Sequence, residues 1–175
     1  MTMNELQSEF LKRAVPPAQA AQRKWHVPAS VTIAQAILES SNEHGWGQSQ
    51  LAREANNFFG IKHSHLRLTE HYVEMTTHEY RDGVLKPEMA EFVRYDAIAD
   101  SFDDHGRLLA TAPRYRPAMA RTGDPGSFAS ALQKAGYSTN PHYAKSLLDL
   151  IYKFDLMQYD IEPDGPAAAA QEVAA

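Results

Sequence analysis

The chain has 175 residues, 43% of them hydrophobic and 22% charged, with a formal net charge of -5 and no cysteine. That length accommodates one domain with a buried core and a cleft, while the missing cysteines exclude disulfides and thiolate metal centres. Lys and Arg are scattered along an acidic chain, which argues against nucleic acid, and no apolar run approaches the roughly 20 residues that span a bilayer.

In chain order, Leu6, Phe10 and Leu11 have helical spacing from Asn4 to Ala14, and Pro16 and Pro17 predict a break there, with a second helix from Pro17 to about Trp25. The stretch HVPASVTIAQAILESS predicts a helix with Ser30 as its N-cap. At about 100° per residue it places Val31, Ile33, Ala34, Ile37 and Leu38 on a broad apolar arc, leaving Thr32, Gln35, Glu39 and Glu43 as a thin polar stripe. A largely buried helix with such a stripe implies a cleft above it. From His71 to Tyr95 the pattern changes. HYVEMTTHEY is β-prone, Asp82-Gly83 is a hairpin-type turn and EFVRY is a return strand, so a small β-lobe is expected at about 70–95. Helical register resumes with Ile98, Phe102, His105 and Leu109 up to Pro113. Asp124-Pro125 opens another helix that Gly136 closes, and Asn140-Pro141 opens a last one with Leu147, Leu148, Ile151 and Phe154 as its core stripe. The expected organisation is one catalytic-sized domain at 1–160 and a tail at 161–175 with no core face.

Glu39 is the first candidate for chemistry. A carboxyl among so many apolar neighbours has its charged form disfavoured and its pKa raised, which is what a general acid needs. On periodicity alone the plainer reading, a solvated rim residue or ion-pair partner, stands beside it.

The strings SVTIAQAILES, GWGQSQLA, NNFFGIK, TTHEY, AEFVRY, PRY and AGYSTNPHYA, in this order from about Phe10 to Tyr159, resemble the glucosaminidase family of peptidoglycan hydrolases. The resemblance implies a lysozyme-like fold, mainly α with a small β-hairpin lobe, and hydrolysis of the β-1,4 bond from N-acetylglucosamine to N-acetylmuramic acid without a cofactor or metal. It makes Glu39 the general acid, Glu79 of TTHEY the second carboxylate on the β-lobe, and Tyr137 of AGYSTNP a tyrosine that hydrogen-bonds the sugar or steadies charge at the anomeric carbon. Substrate contacts are expected from Gln35, Tyr80, Asn56, Asn57, Phe58 and Phe59, with the asparagines equally suited to ending a helix, and Trp46 is expected to pack between lobes and touch glycan secondarily. A binding module that kept the fold and lost turnover, or a muramidase, is the alternative.

Two departures from the family pattern carry expectations of their own. Ser41, Asn42, Glu43 and His44 intervene before GWG and read as one further helical turn, which would set Glu43 on the face of Glu39. Asn140 stands where the family often has Asp and would cap the last helix. His63 and His65 invite a metal site, but no clear third and fourth ligands accompany them, so they read as polar loop residues. The N-terminal stretch, with Glu5 and Glu9, does not resemble a secretory signal. Action in the periplasm or cell wall would then require specialised export, phage-type release or a signal already removed. An antibacterial toxin with a cognate immunity protein occluding the cleft is one such context.

Overall fold

The computed structural model describes the backbone of residues 3–64, 71–81 and 84–161, and the side chains of all of these except 78–81 and 84–85. Helix α1 spans Glu5–Trp25 and opens with a reciprocal cap between Asn4 and Gln7. The predicted break at Pro16 and Pro17 does not occur. Each proline removes one N–H from the helical ladder, leaving the carbonyls of Lys12 and Arg13 without partners, and both of those residues lie on the exposed side, where water can serve them. On the opposite side Leu11, Ala14, Ala18 and Ala21 are buried and hold the helix together through its packing on α2 (Ala29–Ser40) and α4 (Ile98–Thr111).

Helix α2 runs through the middle of the body: every residue from Ala29 to Ile37 is buried. Its cap is not the one expected. Pro28 occupies the N-cap position, and Ser30 lies inside the helix, where both its backbone N–H and its hydroxyl donate to the carboxylate of Asp160, at 2.7 Å each. A carboxylate at a helix N-terminus satisfies orphan donors and complements the helix dipole. Gln22 adds to this junction by accepting from the Ala29 and Ile161 N–H groups and donating to the Ile161 carbonyl. Ile161 is therefore tied to the body; the rest of the expected tail, 162–175, lies outside the described residues.

The helix stops at Ser40, since Ser41 turns extended (φ -84°, ψ 152°), and the expected further turn does not form. Asn42 instead pairs with Gly45 across a tight turn, its side chain accepting from the His44 N–H and donating to the Gln48 carbonyl. Glu43 is thereby exposed on a loop rather than stacked on Glu39. Gly47 completes the turn at φ 68°, where a Cβ would sit 2.8 Å from the Phe10 ring; no other residue fits that contact.

Short helix α3 (Gln50–Ala55) starts from a Ser49 cap and ends on Asn56 in the left-handed region. The hairpin follows, β1 (Tyr72–Arg81) antiparallel to β2 (Val84–Val93), in a register that pairs Tyr72 with Val93 and Arg81 with Val84. Asp82 and Gly83, the expected turn, lie outside the described residues. The base of the hairpin is stitched to the body by Val93 N–H to Ile61, His63 N–H to Glu91 and Tyr95 N–H to Ala55, with Phe92 and Val93 buried there.

Beyond α4 come a 3-10 turn (Pro113–Tyr115), the one-turn helix α5 (Arg116–Met119) and α6 (Pro125–Lys134), capped by Asp124 as its Asp-Pro start predicts. Gly136 follows at φ 73°. The last helix, α7 (Tyr143–Lys153), begins later than expected: His142 is its N-cap residue, and Asn140 shapes the approach by accepting from the His142 N–H. Leu147 and Ile151 enter the core, and a 3-10 turn (Leu156–Tyr159) leads to Asp160. The architecture is mainly helical with one two-stranded lobe, as the sequence predicts.

Candidate active site

Glu39 is the next-to-last residue of α2, where the buried helix surfaces: Ile37 is buried, Leu38 half-buried and Glu39 reaches solvent. Its carboxyl is nevertheless enclosed enough that burial raises its pKa from 4.5 to about 7. An ordinary surface glutamate would be fully ionised at neutral pH; this one keeps its proton about half the time.

Three tyrosines gather beside it. Tyr137, from the loop after α6, stacks on Tyr143 at 5.4 Å between ring centroids and tilts against Tyr115 at 5.9 Å. Burial first, and then neighbours that include the Glu39 charge, hold both the Tyr137 and Tyr143 phenols well above their ordinary pKa. Both hydroxyls therefore stay protonated and neutral. Tyr143 is buried at the start of α7, and its hydroxyl accepts from Gln35 Nε2 at 2.8 Å. Behind Tyr137 lies His105, wholly buried on α4, with Nε2 3.2 Å from the Tyr137 hydroxyl and its ring stacked on Phe59 at 3.9 Å. Burial lowers the His105 pKa to about 3, against the nearby Asp104 charge, so the imidazole is neutral.

The candidates separate clearly. Glu39 and Tyr137 come together, with Phe59 one layer behind through His105. Gln35 is fully buried and shares the site only by positioning Tyr143, so the polar stripe read from the sequence is cleft-facing at Glu39 alone; Thr32 is buried too and bonds back to Pro28. Asn57 is buried with its amide donating to the carbonyls of Ile61 and Val93 and its oxygen accepting from the Ile61 N–H, which leaves no polar atom for a sugar. Asn56 ends α3 and donates to the carbonyls of Tyr95 and Asp96. Of the two readings offered for the asparagines, the structural one describes their bonds. Phe58 is a core residue between Phe10 and Phe102. Trp46 packs edge-on to Phe10 and to Phe154, at 5.9 and 4.6 Å, and so lies between the first and last helices rather than between lobes.

Glu79 and Tyr80 lie on β1, opposite Lys86 and Leu85; their side chains are outside the described residues. His63 bonds Glu91 at 3.1 Å and stacks on Tyr72, while His65 falls outside the described residues. Sequence reasoning missed His105, Tyr143 and Tyr115 as parts of the site. The last two stand inside the PRY and NPHYA motifs, which were the available signal, whereas His105 reads from periodicity as one more inward helix position.

A lysozyme-like body that brings a raised-pKa carboxyl to the edge of a buried helix, beside neutral phenols, is an arrangement suited to glycoside chemistry. The chain belongs to the glucosaminidase family, whose model, described as mannosyl-glycoprotein endo-beta-N-acetylglucosaminidase, matches residues 15–156. It is 38% identical over 159 residues to exo-glucosaminidase LytG of Bacillus subtilis, covering 88% of this chain and 54% of LytG. It is 39% identical over 146 residues to peptidoglycan hydrolase FlgJ of Escherichia coli K12, covering 81% of this chain and 45% of FlgJ. The chain thus spans about half the length of these curated relatives. Among solved structures, the catalytic domain of the Listeria monocytogenes autolysin Auto superposes with a TM-score of 0.79 at 31% identity, covering 91% of this chain and 90% of that one.

Proposed function

We propose that this domain hydrolyses the β-1,4 bond on the N-acetylglucosamine side of peptidoglycan glycan strands, with Glu39 as the general acid. The observation that carries this reading is the Glu39 carboxyl, held near pKa 7 by burial at the edge of α2 and flanked by Tyr137 and Tyr143. A carboxylic acid with a pKa near working pH delivers its proton to the departing glycosidic oxygen as the bond to the anomeric carbon breaks. The positive charge developing on the sugar is met on the other face by water, whose proton passes to a base, or by the sugar's own acetamido oxygen. Glu79 is proposed as that base, from its place on β1 of the projecting hairpin. The hydrolase names of the relatives support peptidoglycan as the substrate, and a site of action in the cell wall or periplasm.

The test is mass spectrometry of purified peptidoglycan digested by the wild-type domain and by Glu39→Gln. Fragments with N-acetylglucosamine at the reducing end, absent with the variant, support the reading. Ends in N-acetylmuramic acid would make it a muramidase, and no new ends from the wild type would leave a glycan-binding module. Following the anomer of the first-formed product by NMR tests the second half: inversion fits Glu79 as base, and retention points to the acetamido group. A finer proposal, an antibacterial effector restrained by an immunity protein that plugs the cleft, fits a catalytic carboxyl open to solvent at one edge. Periplasm-directed expression that left cells healthy and their walls intact would remove it.

A further inference from the structure

His105 is a fully buried titratable group to which the proposed chemistry gives no part, and its surroundings fix more than its position. The ring is clamped flat against Phe59, with an interplanar angle of 13°, and Phe59 is braced edge-on by Phe102. This aims Nε2 at the Tyr137 hydroxyl, 3.2 Å away. Its other nitrogen, Nδ1, is buried and has no hydrogen-bond partner among the described residues. A neutral imidazole carries one proton. If the proton sat on Nδ1, a buried N–H would be orphaned, which folded proteins avoid more strictly than a bare acceptor lone pair. With the proton on Nε2, that N–H has an acceptor in the Tyr137 oxygen and Nδ1 presents only its lone pair.

We infer that His105 donates through Nε2–H to the Tyr137 hydroxyl oxygen and thereby turns the phenol's own proton toward the cleft beside Glu39. Tyr137 then works as a hydrogen-bond donor, to the Glu39 carboxylate or to an oxygen of the sugar's acetamido group, and not as a lone-pair source facing the anomeric carbon. An oxygen already accepting from an imidazole N–H is a poorer electron donor to a cationic centre and a better proton donor to an anionic one. Ring contacts with Tyr143 and Tyr115 hold the Tyr137 ring in place. His105 is a positioning residue in this account. Its link to turnover rests on the proposed glycosidase reading; its protonation pattern does not.

The first experiment needs no activity: long-range 1H–15N correlation spectra of the 15N-histidine-labelled protein, with the His105 signals assigned by their loss in His105→Gln. Nε2 protonated and Nδ1 bare, unchanged from about pH 5 to about pH 8, is the expected result. A proton on Nδ1, or titration within that range, would overturn the inference. In kinetics, His105→Gln supplies an amide donor and should keep kcat within a few-fold, whereas His105→Leu should lower kcat about ten-fold or more with little change in KM. Equal losses in two folded variants would overturn the positioning role. If the wild type cuts no glycan while the spectra show the Nε2 form, the functional reading fails and the hydrogen-bond direction stands.

Discussion

Glu39→Gln should make the protein more stable at alkaline pH while abolishing its activity, and the sign follows from where the carboxyl sits. Its pKa rises from 4.5 in an exposed chain to about 7 in the fold because burial disfavours the charge. Below about pH 4.5 folded and unfolded forms both hold the proton and the residue is neutral toward stability. As the pH rises toward 7 the unfolded chain releases its proton first, so unfolding is increasingly favoured, and above about pH 7 the cost is complete. At 1.36 kcal/mol per pH unit a lift of this size corresponds to about 3 kcal/mol, and the contact of Glu39 with solvent screens that to on the order of 1–2 kcal/mol. Glutamine has nothing to ionise and escapes the cost. Urea unfolding of both proteins at about pH 4 and about pH 8 should give superimposable curves at the lower pH, and a Glu39→Gln midpoint displaced upward at the higher one. In the same proteins kcat of the wild type should fall about ten-fold per pH unit above about 7, and the variant should lose at least about 100-fold. A wild type more stable than Glu39→Gln at pH 8, or a kcat flat across pH 7 to 9, would refute the argument that burial holds the proton.

Asn57→Ala removes the amide that ties the α3 turn to the base of the hairpin, taking the partner from the Val93 carbonyl and the Ile61 N–H, and should cost about 2–4 kcal/mol in urea unfolding. Tyr143→Phe takes the acceptor from the buried Gln35 amide and should cost about 1–3 kcal/mol by the same assay. Gly106→Ala would set a Cβ 2.7 Å from Trp25 Cδ1, and Trp25 is held in place by its bond to Asp103, so thermal unfolding should show a loss of about 1–3 kcal/mol from overpacking. Asp160→Ala uncaps α2 and should cost about 0.5–2 kcal/mol, with its effect lost when Ser30 is already changed to Ala if the cap acts chiefly through that hydroxyl.

The parts of the fold that were legible in the sequence are those whose signals are local. The β-prone composition of HYVEMTTHEY, the Asp124-Pro125 start and the inward register of Phe102, His105 and Leu109 all name their elements correctly. Reading failed where a distant group decides. The Pro16-Pro17 break is overridden by packing of the opposite face of α1, and the Ser30 cap by a carboxylate 130 residues away in sequence. The four residues after Ser40 are as many as one helical turn needs, yet Asn42 and Gly45 close a different turn there whose return through Gln48 no periodicity encodes. For the site, the apolar neighbours of Glu39 in the sequence are enough to predict its raised pKa. The recruitment of Tyr143 and His105 is not legible, because it runs through Tyr137, which meets a side chain of α4 on one contact and of α7 on another.

The bond between Asp160 and Ser30 also fixes where anything joined after Ile161 would begin. The family match ends at residue 156, but the chain returns to the far end of α2 only at Asp160 and Ile161, and trimming to the matched length would remove the cap along with them. From Ser30 to Glu39 the helix rises about 14 Å at 1.5 Å per residue. A neighbour fused after Ile161 would start from the root of α2 and not from the tip that carries Glu39.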